Sequence, residues 1–164
     1  MVYPHYYSRY SPYFPVMPAT APGYQDERYR LVVTLITEAI TGERNDELFY
    51  GYLINEAPTE EEKKVITSIR DDERKHRRMF RRLYTQLTGQ PPAPGLGEQE
   101  NFVQPGSYLE GIEQALMGEL KAFEKYRTIY LNIPQQYKDA MFEIMTDEIK
   151  HASYYNWIYA KNKG

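Results

Sequence analysis

Two short stretches, Glu73-Arg-Lys-His76 and Glu148-Ile-Lys-His151, each set a glutamate three residues before a histidine. On a helix, positions i and i+3 share one face, so each pair can aim a carboxylate and an imidazole at the same point. Each pair is preceded by a further glutamate, Glu43 before Glu73 and Glu119 before Glu148, and the two intervals differ by a single position. The four pieces therefore make two copies of one unit, Glu then Glu-x-x-His. This is the ligand set of a carboxylate-bridged two-metal site inside a four-helix bundle.

The two copies agree beyond these positions. Ala39-Ile40-Thr41-Gly42-Glu43 aligns with Ala115-Leu116-Met117-Gly118-Glu119, and Tyr50 and Tyr126 each follow their glutamate by seven residues. Ile69 and Ile144 precede the second glutamate of each unit by four; Phe80 and Tyr155 follow it by seven, and Leu83 and Ile158 by ten. Steps of 3, 4 and 7 mark one helical face, so the glutamates and histidines belong to an apolar, inward stripe. A repeat of roughly 75 residues is too long for a solenoid unit and fits a duplicated helical hairpin packed against its twin.

Local signals place the elements. A first helix is predicted from about Asp26 to Glu56, stopped by Pro58. Thr59 with Glu62 forms a capping box for a second helix that ends near Thr88, with Gly89 as its C-terminal cap. Gln90 to Gly106 holds four prolines and three glycines and reads as a long connection. Ser107 with Glu110 opens a third helix to about Leu131, and Asn132-Ile-Pro134 turns into a fourth that runs to about Lys161. Fully extended at ~3.3 Å per residue, that connection reaches up to ~56 Å, enough to cross a bundle whose helices are roughly 40 Å long. The expected fold is therefore all-α: a four-helix bundle with a long crossover between helices two and three, built from two repeated hairpins. Residues 1–25, rich in tyrosine and proline, form an N-terminal arm in which proline blocks helix formation, and residues 26–164 form the bundle. The arm reads equally as a flexible tether or as a docking arm.

Composition narrows the chemistry. The chain has 164 residues, enough for one domain with a real core. A net charge of −3 points away from nucleic acid, and Lys75, Arg77, Arg78, Arg81 and Arg82 read as a solvated helix face. Cysteine is absent, which removes thiol catalysis, disulfides, iron–sulfur clusters and cysteine-type zinc sites. No apolar run approaches the roughly 20 residues of a membrane span, and no signal-peptide core is visible, so a cytoplasmic location is expected.

Four glutamates gathered in a core would be driven to protonate or break the core unless cations joined them. Two divalent ions carry +4 and balance four carboxylates, while neutral imidazoles leave the sum unchanged. Carboxylate oxygen with imidazole and no thiolate suits iron or manganese, and zinc can take the same ligands. The expected ligands are Glu43, Glu73, His76, Glu119, Glu148 and His151, with Glu73 and Glu148 bridging and Glu43 and Glu119 terminal. Asp72 and Asp147 precede the bridging glutamates symmetrically and are expected to orient the imidazoles in crossed fashion, Asp147 to His76 and Asp72 to His151. Tyr50 and Tyr126 read as core aromatics, with a hydrogen-bonding or redox role near the metals as the sharper alternative.

Gly42-Glu43 with Tyr50, Asp72-Glu73-x-x-His76, Gly118-Glu119 with Tyr126, and Asp147-Glu148-x-x-His151 resemble the ferritin-like superfamily, and within it the rubrerythrin-like proteins, over about residues 27–161. The resemblance implies a ferritin-like bundle holding a di-iron or di-manganese centre that reacts with dioxygen or hydrogen peroxide. It also implies metal binding by the same six side chains. Two departures stand out. Rubrerythrins carry a second glutamate three residues after the helix-three ligand, where this chain has Ala122, and they end in a four-cysteine iron site, for which this chain has no cysteine. Peroxide reduction here would draw on a separate electron donor or on the ferrous ions themselves. Two functions are thus expected: a ferroxidase, peroxide-scavenging or manganese-catalase-like enzyme, or a metal-stabilised bundle that binds a partner or coat layer through its arm. A homodimer is compatible with either.

Overall fold

In the computed structural model, the description covers residues 24–98 and 101–163, apart from the side chains of residues 24–26 and 43. The N-terminal arm falls almost wholly outside it. Five α-helices account for the described chain: α1 (Tyr24–Thr41), α2 (Glu43–Glu56), α3 (Glu60–Thr88), α4 (Tyr108–Asn132) and α5 (Lys138–Asn162). Among the described residues there is no strand. The result is an all-α ferritin-like bundle. In it α1 and α2 together make the first long rod, α3 the second, α4 the third and α5 the fourth.

The capping signals act where the sequence puts them. Thr59 Oγ accepts the amide of Glu62 at 3.3 Å, and its hydroxyl donates to Glu62 Oε1 at 3.0 Å, closing the start of α3. Glu60, Glu61 and Glu62 also meet the positive end of its dipole. Gly89, at φ 72°, ends α3 by donating to Thr85 O at 2.9 Å in a left-handed conformation that other residues resist. Ser107 accepts the amide of Glu110 at 3.2 Å at the start of α4. Such caps stabilise by about 1 kcal/mol each.

Two boundaries differ from the expectation. The first rod is not one helix from 26 to 56 but two, separated at Gly42. There the crossover lies alongside: the Arg44 amide donates to Gly97 O at 3.0 Å, outside the helix, and Asn45 Oδ1 accepts the amide of Asn101 at 2.7 Å. Glycine is a weak helix former, so an external acceptor is enough to open the ladder. Likewise Pro134 does not begin the last helix. A short 3-10 turn, Gln135–Tyr137, intervenes, and α5 starts at Lys138.

The core is divided into two apolar blocks. One gathers Ile36, Ile40, Phe80, Leu83, Tyr126, Ile129 and Ile144; the other gathers Leu53, Ile66, Ile69, Ile112, Tyr155 and Ile158. Each fully buried isoleucine or leucine contributes about 1.5–3 kcal/mol. On α3, α4 and α5 the sequence passes from one block to the other through a polar step: Glu73 and His76, Glu119, and Glu148 and His151. The polar side chains are thereby held mid-bundle between two apolar plugs.

Candidate metal centre

Three helices bring the polar step together. Glu73, Glu119, Glu148 and His151 each offer one ligand atom, and these atoms lie within 4.8 Å of one another. Glu73 occupies the middle: its Oε1 stands 3.1 Å from His151 Nδ1 and 3.4 Å from His76 Nδ1. His76 Nδ1 is also 3.3 Å from Glu148 Oε1, and His151 Nδ1 is 3.6 Å from Glu119 Oε2. The two imidazole centroids are 6.0 Å apart. Glu148 is 1 % exposed and His151 0 %, so solvent does not satisfy these atoms.

The outer nitrogens are tied across the two hairpins. His76 Nε2 meets Asp147 Oδ2 at 3.1 Å, and His151 Nε2 meets Asp72 Oδ2 at 3.2 Å. Lys150 links the two aspartates, donating to Asp72 Oδ2 at 2.9 Å and to Asp147 Oδ1 at 2.6 Å. Both aspartates are held below the usual carboxylate range: burial opposes this, but Lys150 and the facing imidazole outweigh it. An ionised carboxylate at Nε2 favours a proton there, which turns the Nδ1 lone pair inward.

The inner atoms are in a different condition. Glu73 Oε1, His76 Nδ1, Glu148 Oε1 and His151 Nδ1 are all buried and none has a hydrogen-bond partner, although each lies 3.1–3.4 Å from at least one other of the four. Leaving one such group unmet costs about 1–3 kcal/mol. Without a cation, protonation must absorb the conflict. Burial, and then the charge of Glu73, pushes the Glu148 carboxyl well above its ordinary value. Glu73 itself is held down to about 2: burial opposes, but both imidazoles stabilise its charge. His151 is pushed up to about 10, with burial again opposing and Glu119 and Glu73 prevailing. Cation binding would replace those protons and engage the inward atoms, so the donor set fits a metal site.

The remaining expected residues are placed as follows. Glu43 begins α2 at the Gly42 break, and its side chain lies outside the described set. Tyr50 is buried and its hydroxyl donates to Glu119 Oε1 at 3.5 Å. Tyr126 is buried against Phe80, with ring centroids 4.9 Å apart.

Three residues beside the centre escaped the reading of the sequence. Lys150 is one; only the fold reveals that it faces both aspartates. Asp46 is the second. Although the residue reaches solvent, protein crowds its carboxyl; burial, then Glu73, push it up to about 7, against Arg77. Its signal was present, since Glu43 and Asp46 repeat the i, i+3 spacing of the Glu-x-x-His pairs. The third is Tyr155, visible in the sequence only as a core position.

Fold and site together define a carboxylate-bundle protein of the ferritin-like class, with a candidate metal site of glutamates and histidine. A family model described as Rubrerythrin matches residues 34–107, covering most of the first rod, all of α3 and the crossover. Over those residues the chain is similar to rubrerythrin, and the match includes Glu43, Glu73 and His76. No curated protein and no solved structure matches it. No described helix is long and apolar enough to cross a membrane.

Proposed function

We propose that this protein is a di-iron carboxylate oxidoreductase that reacts with dioxygen or hydrogen peroxide, as a ferroxidase or a peroxide scavenger. The observation that carries this reading is the set of four buried, partnerless candidate ligand atoms on α3 and α5, linked by contacts of 3.1, 3.3 and 3.4 Å between two apolar blocks. When bound, a pair of ferrous ions supplies two one-electron reductants side by side for a small oxidant. Manganese is the second metal these ligands suit.

The chain's own residues do the rest. Asp72 and Asp147 hold the proton on each Nε2, so that Nδ1 is the atom each imidazole would offer to a metal. Glu73 stands between both imidazoles and with Glu148 would hold the metals, and Glu43 and Glu119 would complete the carboxylate set. Tyr50 steadies Glu119 through its hydrogen bond. Ile40, Ile69 and Ile144, each 0 % exposed, exclude bulk water from the two flanks. These 164 residues hold no cysteine, so repeated peroxide reduction draws electrons from outside them, whereas ferroxidase turnover uses ferrous iron as its substrate.

The test is metal content per chain after anaerobic loading with Fe(II) or Mn(II) and desalting, followed by rapid mixing with dioxygen or peroxide. Two metals per chain in the wild type, lost in Glu73→Ala/Glu148→Ala, with oxidant-dependent oxidation of the bound iron, is the expected result. A wild type that retains no metal sinks the proposal.

A further inference from the structure

Tyr155 lies seven residues after Glu148 on the inward face of α5 and is 0 % exposed. Its ring packs in the apolar block of Leu53, Ile66, Ile69 and Ile112. Its hydroxyl has no hydrogen-bond partner, a condition that costs about 1–3 kcal/mol when it is buried. Among the described residues, the only other buried side-chain atoms so placed are the four inward atoms of Glu73, His76, Glu148 and His151. Tyr155 is thus the fifth member of a set whose other four members are the candidate metal ligands.

Two further observations tie the hydroxyl to the centre. Besides burial, Glu119, Glu73, Tyr108 and Glu148 raise its pKa, three of them carboxylates of the candidate site. Packing alone does not require the oxygen. The equivalent position of the first repeat is Phe80, an equally buried ring without a hydroxyl. The neighbouring phenols are already engaged: Tyr108 donates to Glu62 Oε2 at 2.8 Å and Tyr50 to Glu119 Oε1 at 3.5 Å.

We propose that the Tyr155 phenol is a positioning donor for the small oxygen ligand that enters the metal centre, holding water, dioxygen or peroxide by a hydrogen bond. The role rests on the metal-centre reading above. It makes the two halves of the repeat unequal, since Phe80 offers no such donor. An incoming ligand therefore has one preferred orientation at a centre whose ligands are otherwise symmetric.

The test is Tyr155→Phe, a side chain the same fold already accepts at Phe80. Metal per chain is measured after iron loading, and azide affinity is then measured from the azide-to-iron absorption band of the oxidised protein. The expected result is an unchanged metal count, azide binding weakened about 10-fold for one lost hydrogen bond, and a metal-free variant that melts no lower than the wild type. Full metal with unchanged azide affinity overturns this proposal while leaving the metal centre intact. A loaded wild type that binds no azide overturns it too, because no open position then faces the phenol. Loss of metal in Tyr155→Phe would make the phenol a support for the ligands rather than a positioning donor, also against it. A wild type that takes up no metal removes both readings.

Discussion

His76 on α3 and Asp147 on α5 meet at 3.1 Å, and the reciprocal pair, His151 and Asp72, meets at 3.2 Å, so each imidazole is oriented by the other hairpin. The two halves of the repeat are thereby locked to each other at the point where their candidate ligands converge. Removing Asp147 frees the His76 ring to rotate and lowers the basicity of its inner nitrogen. Asp147→Ala is expected to weaken metal binding about 10- to 100-fold, measured by competition with a chelator of known affinity, with the number of sites per chain unchanged. An affinity equal to the wild type would mean that the packing around His76, not the aspartate, sets the ring.

Metal uptake should release protons. In the metal-free centre the Glu148 carboxyl is raised well above its ordinary value by burial and by Glu73, and His151 is pushed up to about 10 against the cost of burial. Both must shed a proton to bind a cation, so affinity rises with pH across the neutral range. Calorimetric titrations in buffers of different ionisation enthalpy should show net proton release at pH 7. The same shift sets a stability window for the metal-free protein. A histidine raised from about 6.5 to about 10 contributes stability that is fully present below pH 6.5 and is lost as pH rises through 10. The metal-free protein should therefore melt at lower temperature at pH 10 than at pH 6.5.

Away from the centre, Glu47 on α2 clamps α3 through Arg74 and Arg77. Hydrogen bonding from Arg74, opposed by burial and aided by Arg77, holds its carboxyl down to about 2. A depressed carboxylate contributes stability that is present above its unfolded value near 4.5 and is lost as pH falls through about 2. Partial exposure screens the clamp. Glu47→Gln is therefore expected to cost about 1 kcal/mol in urea unfolding at pH 7, with the difference from the wild type shrinking as pH approaches 2.

Ile69 and Ile144 occupy equivalent places in the two repeats, four residues before Glu73 and Glu148, and each is 0 % exposed. They belong to opposite apolar blocks. Truncating either to alanine leaves a cavity next to the centre and should cost about 2–5 kcal/mol in denaturant unfolding of the metal-free protein. The two substitutions lie in different blocks, so their effects should be close to additive. A strongly non-additive double variant would show that the blocks are coupled through the polar step.

Much of the architecture was legible in the chain because its causes are local or periodic. Thr59, Gly89 and Ser107 end or begin helices through contacts with residues three or four away, and the Glu-x-x-His spacing fixes a shared face by helix geometry alone. The repeat register added the inward stripe, on which Glu73, His76, Glu119, Glu148 and His151 are found, and the symmetric aspartates. The exceptions have a common cause. The break at Gly42 depends on Gly97, far along the chain in the crossover beyond α3, offering a carbonyl to the Arg44 amide, and no helical propensity announces that. The late start of α5 follows from a 3-10 turn that closes through Tyr137 and Pro134.

The sequence by itself determined the helical class, the duplicated hairpin and the chemical type of the site, because side-chain periodicity and ligand identity are written along the chain. Only the tertiary structure decided which atoms are left without partners, that Lys150 joins Asp72 to Asp147, that Asp46 stands beside the centre, and that Tyr155 buries a free hydroxyl where Phe80 buries none. Those are facts about approach between helices distant in sequence, set by how the apolar blocks pack, and packing acts through space rather than along the chain.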